Sequence, residues 1–238
     1  MQNIKHIEVI IAALFHDLGK ITQRGKVDDC LTPDMEGQLL PLSKDKRYTH
    51  KHAWYTHGAV LQLRSCLPEE VNAERVARLA AAHHNPGTWE EWIIAHADRI
   101  SSGADRTPKE LDAESDASFI EQPAMSVFNS VILDGCASQK PKYNRLEALS
   151  ATASRPIDFF RNDSAAYKRI WEGLKNDLLA IRMTDLDSWF AAVDASLEHW
   201  TWSVPSTTID QPDISLYDHL RTTAAFASAL YLYVINSD

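Results

Sequence analysis

The sequence predicts an all-α fold, a bundle of helices with at most a minor β-hairpin near the middle of the chain. Helix-forming residues dominate the 238 positions, and only 8 of these are glycine. Apolar residues recur at helical spacing in most segments, and signals for helix starts precede several of them. Because 45% of the residues are hydrophobic, the chain can bury a substantial core, as one large domain or two small ones.

The first half of the chain predicts four helices. Asn3 can cap the first of these, and Gly19 is a natural stop for it. The motif "TWEE" is a capping box, with Thr88 as the cap and Glu91 three residues later, and it opens the fourth helix. The predicted helices cover residues 4–18, 51–65, 69–84 and 89–102, and the polar stretch 20–48 is predicted to be loop.

The second half predicts three longer helices after a weakly periodic middle. Residues 104–126 are acidic and contain proline, so we expect an exposed excursion, while "MSVFNSVIL" could be a short strand or an extended segment. The last helix is rich in alanine and apolar on most faces, which favours a buried position. The predicted helices cover residues 164–181, 185–201 and 216–234, with a loop at 203–215.

Composition narrows the possible functions. The formal net charge of -9 counts against autonomous, tight binding of nucleic acid, although it leaves room for a locally basic groove. Cys30, Cys66 and Cys136 form no CxxC pair and no disulfide framework, so a reducing, cytoplasmic location is expected. The longest apolar run near the start, residues 9–15, is too short to cross a bilayer, and no membrane partner is expected.

Polar residues interrupt the apolar helical surface at four places. They are "HD" at His16 and Asp17, the cluster "HKHAWYTH", the pair His83-His84, and Asp98 in "IIAHADRIS". Taken singly, each is more often a hydrogen-bonded core residue or a solvated one. Taken together, an HD pair, a histidine, an HH pair and an aspartate follow the ligand order of the HD phosphohydrolase superfamily. Imidazoles mixed with carboxylates suit a transition metal such as Mn, Fe, Ni, Co or Zn.

The middle cluster offers three histidines, of which we predict His52 to be the ligand. His52 lies in line with Thr56 and Ala59 at helical spacing, on a mostly apolar and therefore inward face. His57 is the second candidate. His50 is expected in solvent, at the start of the helix.

The stretches "HDLGKITQR", "KHAWYT", "HHNP", "ADRISSGADR" and "ISLYDHLRTTAAFASALY" follow one another along the chain. They resemble the N-terminal HD nuclease domain of the large subunit of type III, Csm-type CRISPR effector complexes, over essentially the whole chain. The resemblance implies an HD-superfamily helical bundle that is circularly permuted. The histidine that ordinarily precedes the HD pair would then come from the last helix, where His219 fits.

The resemblance further implies metal-dependent cleavage of single-stranded DNA, with other Csm-type subunits, CRISPR RNA and target RNA as partners. No GGDD motif occurs in the sequence, so the synthesis of cyclic oligoadenylate is not carried over. Two alternatives stay open. One is an HD-type nucleotide or cyclic-nucleotide phosphohydrolase, and the other is a non-catalytic scaffold domain.

The predicted centre holds one or two divalent ions of Mn, Ni, Co or Fe. His16, Asp17 and Lys20 are the predicted catalytic residues. Lys20 could steady the charge of a transition state, or it could simply satisfy the C-terminus of a helix. The predicted metal ligands are His16, Asp17, His52, His83, His84, Asp98 and His219.

We expect residues 1–238 to form a single HD domain. Its predicted parts are the main metal-ligand helices in 1–103, the excursion and connecting segment in 104–150, and the helices that close the bundle in 151–238.

Overall fold

The structure of the chain is a computed structural model that describes residues 4–103, 118–131, 140–183, 185–208 and 212–237. Within these residues the regular elements are helical, isolated β-bridges join single residue pairs, and no strand forms. The all-α prediction is therefore confirmed. The helices described are α1 (Ile4–Phe15), α2 (Gly19–Arg24), α3 (Glu36–Leu39), α4 (Lys51–Gln62), α5 (Ala73–Ala81), α6 (Trp89–Ser101), α7 (Ser118–Glu121), α8 (Ser164–Ala180), α9 (Leu186–Thr201) and α10 (Leu216–Asn236).

The first helix ends sooner than predicted, and Gly19 begins a helix instead of stopping one. α1 ends at Phe15, a turn follows, and α2 starts at Gly19, so its remaining residues occupy the stretch that we predicted as loop. A Cβ on residue 19 would overlap the carbonyl oxygen of His52, so only glycine allows α2 and α4 to approach this closely. Thr56 on α4 fixes the turn, because its hydroxyl donates to the His16 carbonyl at 2.8 Å and accepts from the Gly19 amide at 3.0 Å.

Helix α5 also starts later than predicted. It begins at Ala73 rather than at residue 69, because Asn72 caps it with a side-chain oxygen that accepts from the Arg75 amide at 3.0 Å. The helix ends at Ala81, and a 3₁₀ turn over Ala82–His84 carries the HH pair. The change of helix type turns these two residues out of the register that a continuous helix would give them.

Helix α6 begins at the predicted capping box. Glu91 Oε2 accepts from the Thr88 amide at 2.9 Å, and Thr88 Oγ1 accepts from the Glu91 amide at 3.3 Å. The middle of the chain departs from prediction, since a 3₁₀ turn at Val127–Ser130 occupies part of the expected strand or extended segment. Of that segment, residues 132–133 lie outside the described residues, and so do residues 104–117 of the predicted excursion. The rest of the excursion includes the short helix α7.

The last helix brings the end of the chain beside its beginning. α10 packs against α1 and α6, and residues of its first half, such as Leu220 and Thr223, are buried. Its last turns are exposed, with Tyr233 72% accessible, so the prediction of a buried helix is wrong for that end. The predicted loop before it is confirmed over residues 203–208 and 212–215. None of the described helices is long and apolar enough to cross a membrane.

Candidate metal centre

Five segments bring the predicted ligands together inside the bundle. The turn after α1 carries His16 and Asp17, α4 carries His52 in its first turn, and the 3₁₀ turn after α5 carries His83 and His84. α6 and α10 each contribute one buried residue. The ligand atoms form a first group of His16, Asp17, Asp98 and His219 and a second group of His52, His83 and His84. Within each group these atoms all lie within 4.8 Å of one another.

The first group joins both ends of the chain. His219 Nε2 lies 3.1 Å from His16 Nε2 and 3.2 Å from both Asp17 Oδ2 and Asp98 Oδ1. His16 Nε2 lies 3.4 Å from Asp17 Oδ2 and 3.6 Å from Asp98 Oδ1. Two imidazole nitrogens and two carboxylate oxygens thus face one another, which is a donor set that suits a divalent transition metal.

Asp17 reaches the second group through its other oxygen. Asp17 Oδ1 lies 3.4 Å from His52 Nε2 and 3.7 Å from His83 Nε2, whereas Oδ2 faces the first group. His52 Nε2 in turn lies 2.9 Å from His84 Nε2. The carboxylate of Asp17 therefore stands between two separate sets of donor atoms.

Two buried atoms at this junction have no hydrogen-bond partner in the part of the chain that the structure describes. They are Asp17 Oδ1 and His83 Nε2. An unpaired buried polar atom costs about 1–3 kcal/mol, and more when it belongs to a charged group. A cation held between them would satisfy both atoms at once. The residues of the centre therefore fit metal ions, which the two groups are able to bind.

Backbone carbonyls orient two of the imidazoles. His16 Nδ1 lies 2.7 Å from the Ala13 carbonyl oxygen, and His83 Nδ1 lies 2.7 Å from that of Ala80. A carbonyl oxygen only accepts, so Nδ1 must carry the proton and donate it. Nε2 then keeps its lone pair toward the centre, as a metal ligand requires.

Two serines that sequence reasoning did not single out support the first group. Ser101 Oγ lies 3.0 Å from His219 Nδ1 and donates to the His219 carbonyl at 3.2 Å, so it can accept the Nδ1 proton of that ring. Ser102 Oγ donates to Asp98 Oδ1 at 3.2 Å. The signal was present in "DRISS", because residues three and four positions after Asp98 share its face of the helix.

The pKa values of His83, His84 and Asp17 favour the protonation states that metal binding needs. Burial lowers the pKa of His83 to about 4, with a further contribution from His16. Burial, together with neighbouring histidines, also holds the pKa of His84 well below its usual value. Burial would raise the pKa of Asp17, but the Lys20 ammonium and the His16 ring outweigh it, and the pKa lies well below the usual value. His83 and His84 are therefore neutral, and the carboxylate of Asp17 is ionised.

In the first group, neighbouring charges shift the pKa values of Asp98 and His16 in the direction opposite to that of burial. Burial would raise the pKa of Asp98, but the neighbouring imidazoles of His16 and His219 outweigh it and lower that pKa well below the usual value. Burial would lower the pKa of His16, but the carboxylates of Asp17 and Asp98 raise it above its ordinary value. These two carboxylates supply the negative charge that a divalent cation would neutralise.

Lys20 is a direct partner of Asp17. Its ammonium lies 2.6 Å from Asp17 Oδ2 and donates to the Ser206 carbonyl at 2.7 Å. It stands in the first turn of α2, and its ammonium contacts the Asp17 carboxylate and the Ser206 carbonyl, neither of which is a terminal carbonyl of a helix. The neighbouring Arg24 donates to the Pro205 carbonyl at 2.8 Å, so two cations of α2 hold the segment before α10.

The other two histidines of the middle cluster lie outside both groups. His57 is buried, and its Nδ1 lies 3.0 Å from Thr32 Oγ1. The expectation that His50 lies in solvent is wrong. It is half-buried, and its ring centroid lies 4.0 Å from that of His84. Residue 50 has left-handed backbone, which helical spacing in the sequence does not predict.

Comparison with known proteins agrees with this geometry. Residues 3–107 match the family model described as HD domain, a range that contains every predicted ligand except His219. Two relatives described as "CRISPR system single-strand-specific deoxyribonuclease Cas10/Csm1 (subtype III-A)", from Methanocaldococcus jannaschii and Enterococcus italicus, are each 26% identical. The matches cover 94% and 97% of this chain but 28% and 29% of the relatives, so the chain spans less than a third of their length.

Solved structures share the fold. The crystal structure of Csm1 in T. onnurineus matches with a TM-score of 0.60 at 20% identity, over 97% of this chain and 29% of that one. A Csm1-Csm4 subcomplex of the type III-A CRISPR-Csm interference complex matches with a TM-score of 0.61 at 19% identity, over 100% of this chain and 29% of that one. At these identities the likeness concerns the architecture alone.

Proposed function

We propose that this HD domain, which resembles the HD region of Cas10/Csm1 proteins over nearly the whole chain, hydrolyses single-stranded DNA with two bound divalent metal ions. The observation that carries the proposal is the position of Asp17. One oxygen faces His16 and His219, and the other faces His52 and His83. A carboxylate in this position can serve two ions at once.

Bound divalent ions would lower the pKa of a water molecule to make a nucleophile and would neutralise the charge of a phosphate. His16, Asp17, Asp98 and His219 would hold one ion, and His52, His83 and His84 would hold the other with Asp17. Because its two oxygens face the two groups of ligands, Asp17 would contribute to both ion sites. Lys20 offsets the charge of Asp17 and is well placed to stabilise the additional charge of a phosphodiester in the transition state.

The exposure of the ligands supports access for a flexible strand. The four residues of the first group are at most 5% exposed, whereas His84 and Lys20 are half-buried and lie at the rim. A substrate would therefore approach from the side of the second group. A centre recessed among helices admits a single strand more readily than a rigid duplex, and the described activity of the relatives points the same way.

The partners are proposed by analogy. Relatives of known structure form complexes of Csm1 with Csm4, and this chain spans less than a third of their length. We propose that it works in the cytoplasm as the nuclease part of a Csm-type assembly that contains CRISPR RNA and target RNA. The net charge of -9 fits a nuclease to which partner subunits deliver the nucleic acid.

An assay of the purified protein tests the activity. Single-stranded DNA, duplex DNA, RNA, mononucleotides and cyclic nucleotides are each incubated with Mn, Ni, Co, Fe or Mg. We expect cleavage of single-stranded DNA, slower cleavage of duplex DNA, and none after chelation of the metal. Equal rates on single-stranded and duplex DNA would contradict the proposed specificity. Turnover confined to mononucleotides or cyclic nucleotides would favour a nucleotide phosphohydrolase, and binding of metal without hydrolysis would favour a scaffold.

A further inference from the structure

His50 occupies the N-cap position of α4 without capping the helix. Its backbone is left-handed, with φ 57° and ψ 43°, and its side chain makes no hydrogen bond to the first turn. An N-cap residue usually has extended backbone and a side chain that accepts from an amide of the first turn. Left-handed backbone is uncommon outside glycine and tends to cluster at functional sites. His50 therefore contributes no cap to α4, which suggests another role for its imidazole.

The imidazole of His50 lies against the second group. Its ring centroid is 4.0 Å from that of His84, with an angle of 37° between the planes, and 6.0 Å from that of His52. His50 Nδ1 lies 2.9 Å from Thr49 Oγ1, and that hydroxyl donates to the Pro41 carbonyl at 3.3 Å. A hydroxyl that donates to a carbonyl can accept from an imidazole N–H. The backbone and Thr49 therefore both fix the position of this ring.

His84 differs from the other imidazoles in what holds it. Carbonyl oxygens hold His16 and His83 through Nδ1, and a serine hydroxyl lies against Nδ1 of His219. Among the described residues, no carbonyl or hydroxyl oxygen accepts a hydrogen bond from Nδ1 of His84, and its one hydrogen-bond contact is that of Nε2 with His52 Nε2 at 2.9 Å. Its ring instead contacts other rings, with centroids 4.0 Å away at His50, 4.1 Å away at His83 and 4.9 Å away at His52. His84 is also half-buried, so the surrounding core constrains it less.

We propose that His50 is a positioning residue, whose ring holds the imidazole of His84 in the orientation that the second metal ion requires. His50 does for His84 by ring contact what the backbone carbonyls do for His16 and His83 by hydrogen bonding. This inference rests on the two-ion centre of the proposed function, but it does not depend on the substrate.

Calorimetric titration with Mn²⁺ of the whole chain tests the inference, with the content of bound ions measured separately. His50→Asn keeps a residue that tolerates left-handed backbone but removes the ring. His50→Phe keeps a flat ring. His96→Asn, an exposed histidine on α6, is the matched control. The melting temperature of each metal-free variant reports whether the fold is intact.

We expect His50→Asn to weaken binding of one of the two ions by about 10–100-fold, as the loss of a residue that supports a ligand does. Binding of the other ion stays unchanged, and His50→Phe and His96→Asn bind both ions as the unsubstituted protein does. Unchanged binding of both ions by His50→Asn overturns the inference, and so does equal weakening by His50→Phe, since ring contact would not then be the cause. If the unsubstituted protein binds one ion only, the two-ion centre itself fails and the inference fails with it.

Discussion

At the scale of single residues, the shared carboxylate of Asp17 decides how the centre responds to mutation. We expect Asp17→Ala to abolish hydrolysis, because both sets of donors lose an oxygen, and His16→Ala to do the same through the first group. Each rate should fall by more than about 100-fold, since even outer residues of metal sites are worth 10–100-fold. Cleavage assays with Mn²⁺ measure the rates, and circular dichroism shows whether the helices persist.

His57→Asn is the control for these variants. It alters a buried histidine of α4 that lies outside both groups, so hydrolysis should continue. Full activity of Asp17→Ala or His16→Ala, with metal still bound, would refute the proposed centre. Loss of activity in His57→Asn, with the fold intact, would instead move the middle ligand from His52 to His57.

The residue scale also shows how far the sequence predicts this site. Asp98, together with the HD and HH pairs, could be identified because the residue types and their order are visible in short motifs. The prediction of His219 depends on two observations, its position on an apolar helix and the family resemblance. The prediction for His50 is wrong because it rests on position in a helix alone, and no local pattern reveals left-handed backbone at a residue other than glycine.

At the scale of helices, the contact between α2 and α4 fixes the position of the turn that carries His16 and Asp17. We expect Gly19→Ala to lower the free energy of unfolding by at least about 1–3 kcal/mol, the usual cost of overpacking, because the new Cβ would meet backbone atoms of His52 and Thr56. Urea unfolding measures the change, and Mn²⁺ affinity should fall with it since the same contact places His52.

Gly87→Ala is the matched control for that variant. A Cβ on residue 87 would have the Glu91 carboxylate at 3.6 Å as its nearest contact, which is ordinary van der Waals distance. Its stability should stay close to that of the unsubstituted protein. Equal stability of Gly19→Ala and Gly87→Ala would show that α2 and α4 are not packed as the structure has them.

The same contact explains why the sequence does not predict α2. The sequence around it is polar and continues into proline-containing stretches, so local pattern favoured loop. Ile21 and Thr22 are nevertheless fully buried, because α2 packs against α4 and α8. Tertiary packing of this kind overrides local propensity. Gly19 can be recognised as a site of close approach only when the position of α4 is known.

At the scale of the whole molecule, stability should fall in alkaline solution. Burial raises the pKa of the Cys30 and Cys66 thiols from the usual 9.0 to about 12. Both thiols are protonated below pH 9 in either state, so their contribution is complete there. Above pH 9 the unfolded chain releases these protons and the folded chain does not, so the contribution is lost as the pH rises toward 12.

Urea unfolding at pH 8 and pH 10 measures this effect. We expect a lower free energy of unfolding at pH 10, and a smaller difference between the two pH values in a variant with both cysteines changed to alanine. An identical difference in that variant would mean that the two thiols do not ionise differently in the folded and unfolded chains.

The position of His219 beside His16 has a consequence for biosynthesis. The two residues are separated by 203 positions in the chain, yet both belong to the first group. While the chain emerges from the ribosome, that group lacks one imidazole until α10 has been made and has docked against α1 and α6. A nascent or prematurely terminated polypeptide would therefore carry the HD motif without an intact first group. For the nuclease activity proposed above, late completion of this kind would limit damage to the DNA of the host cell by unfinished copies.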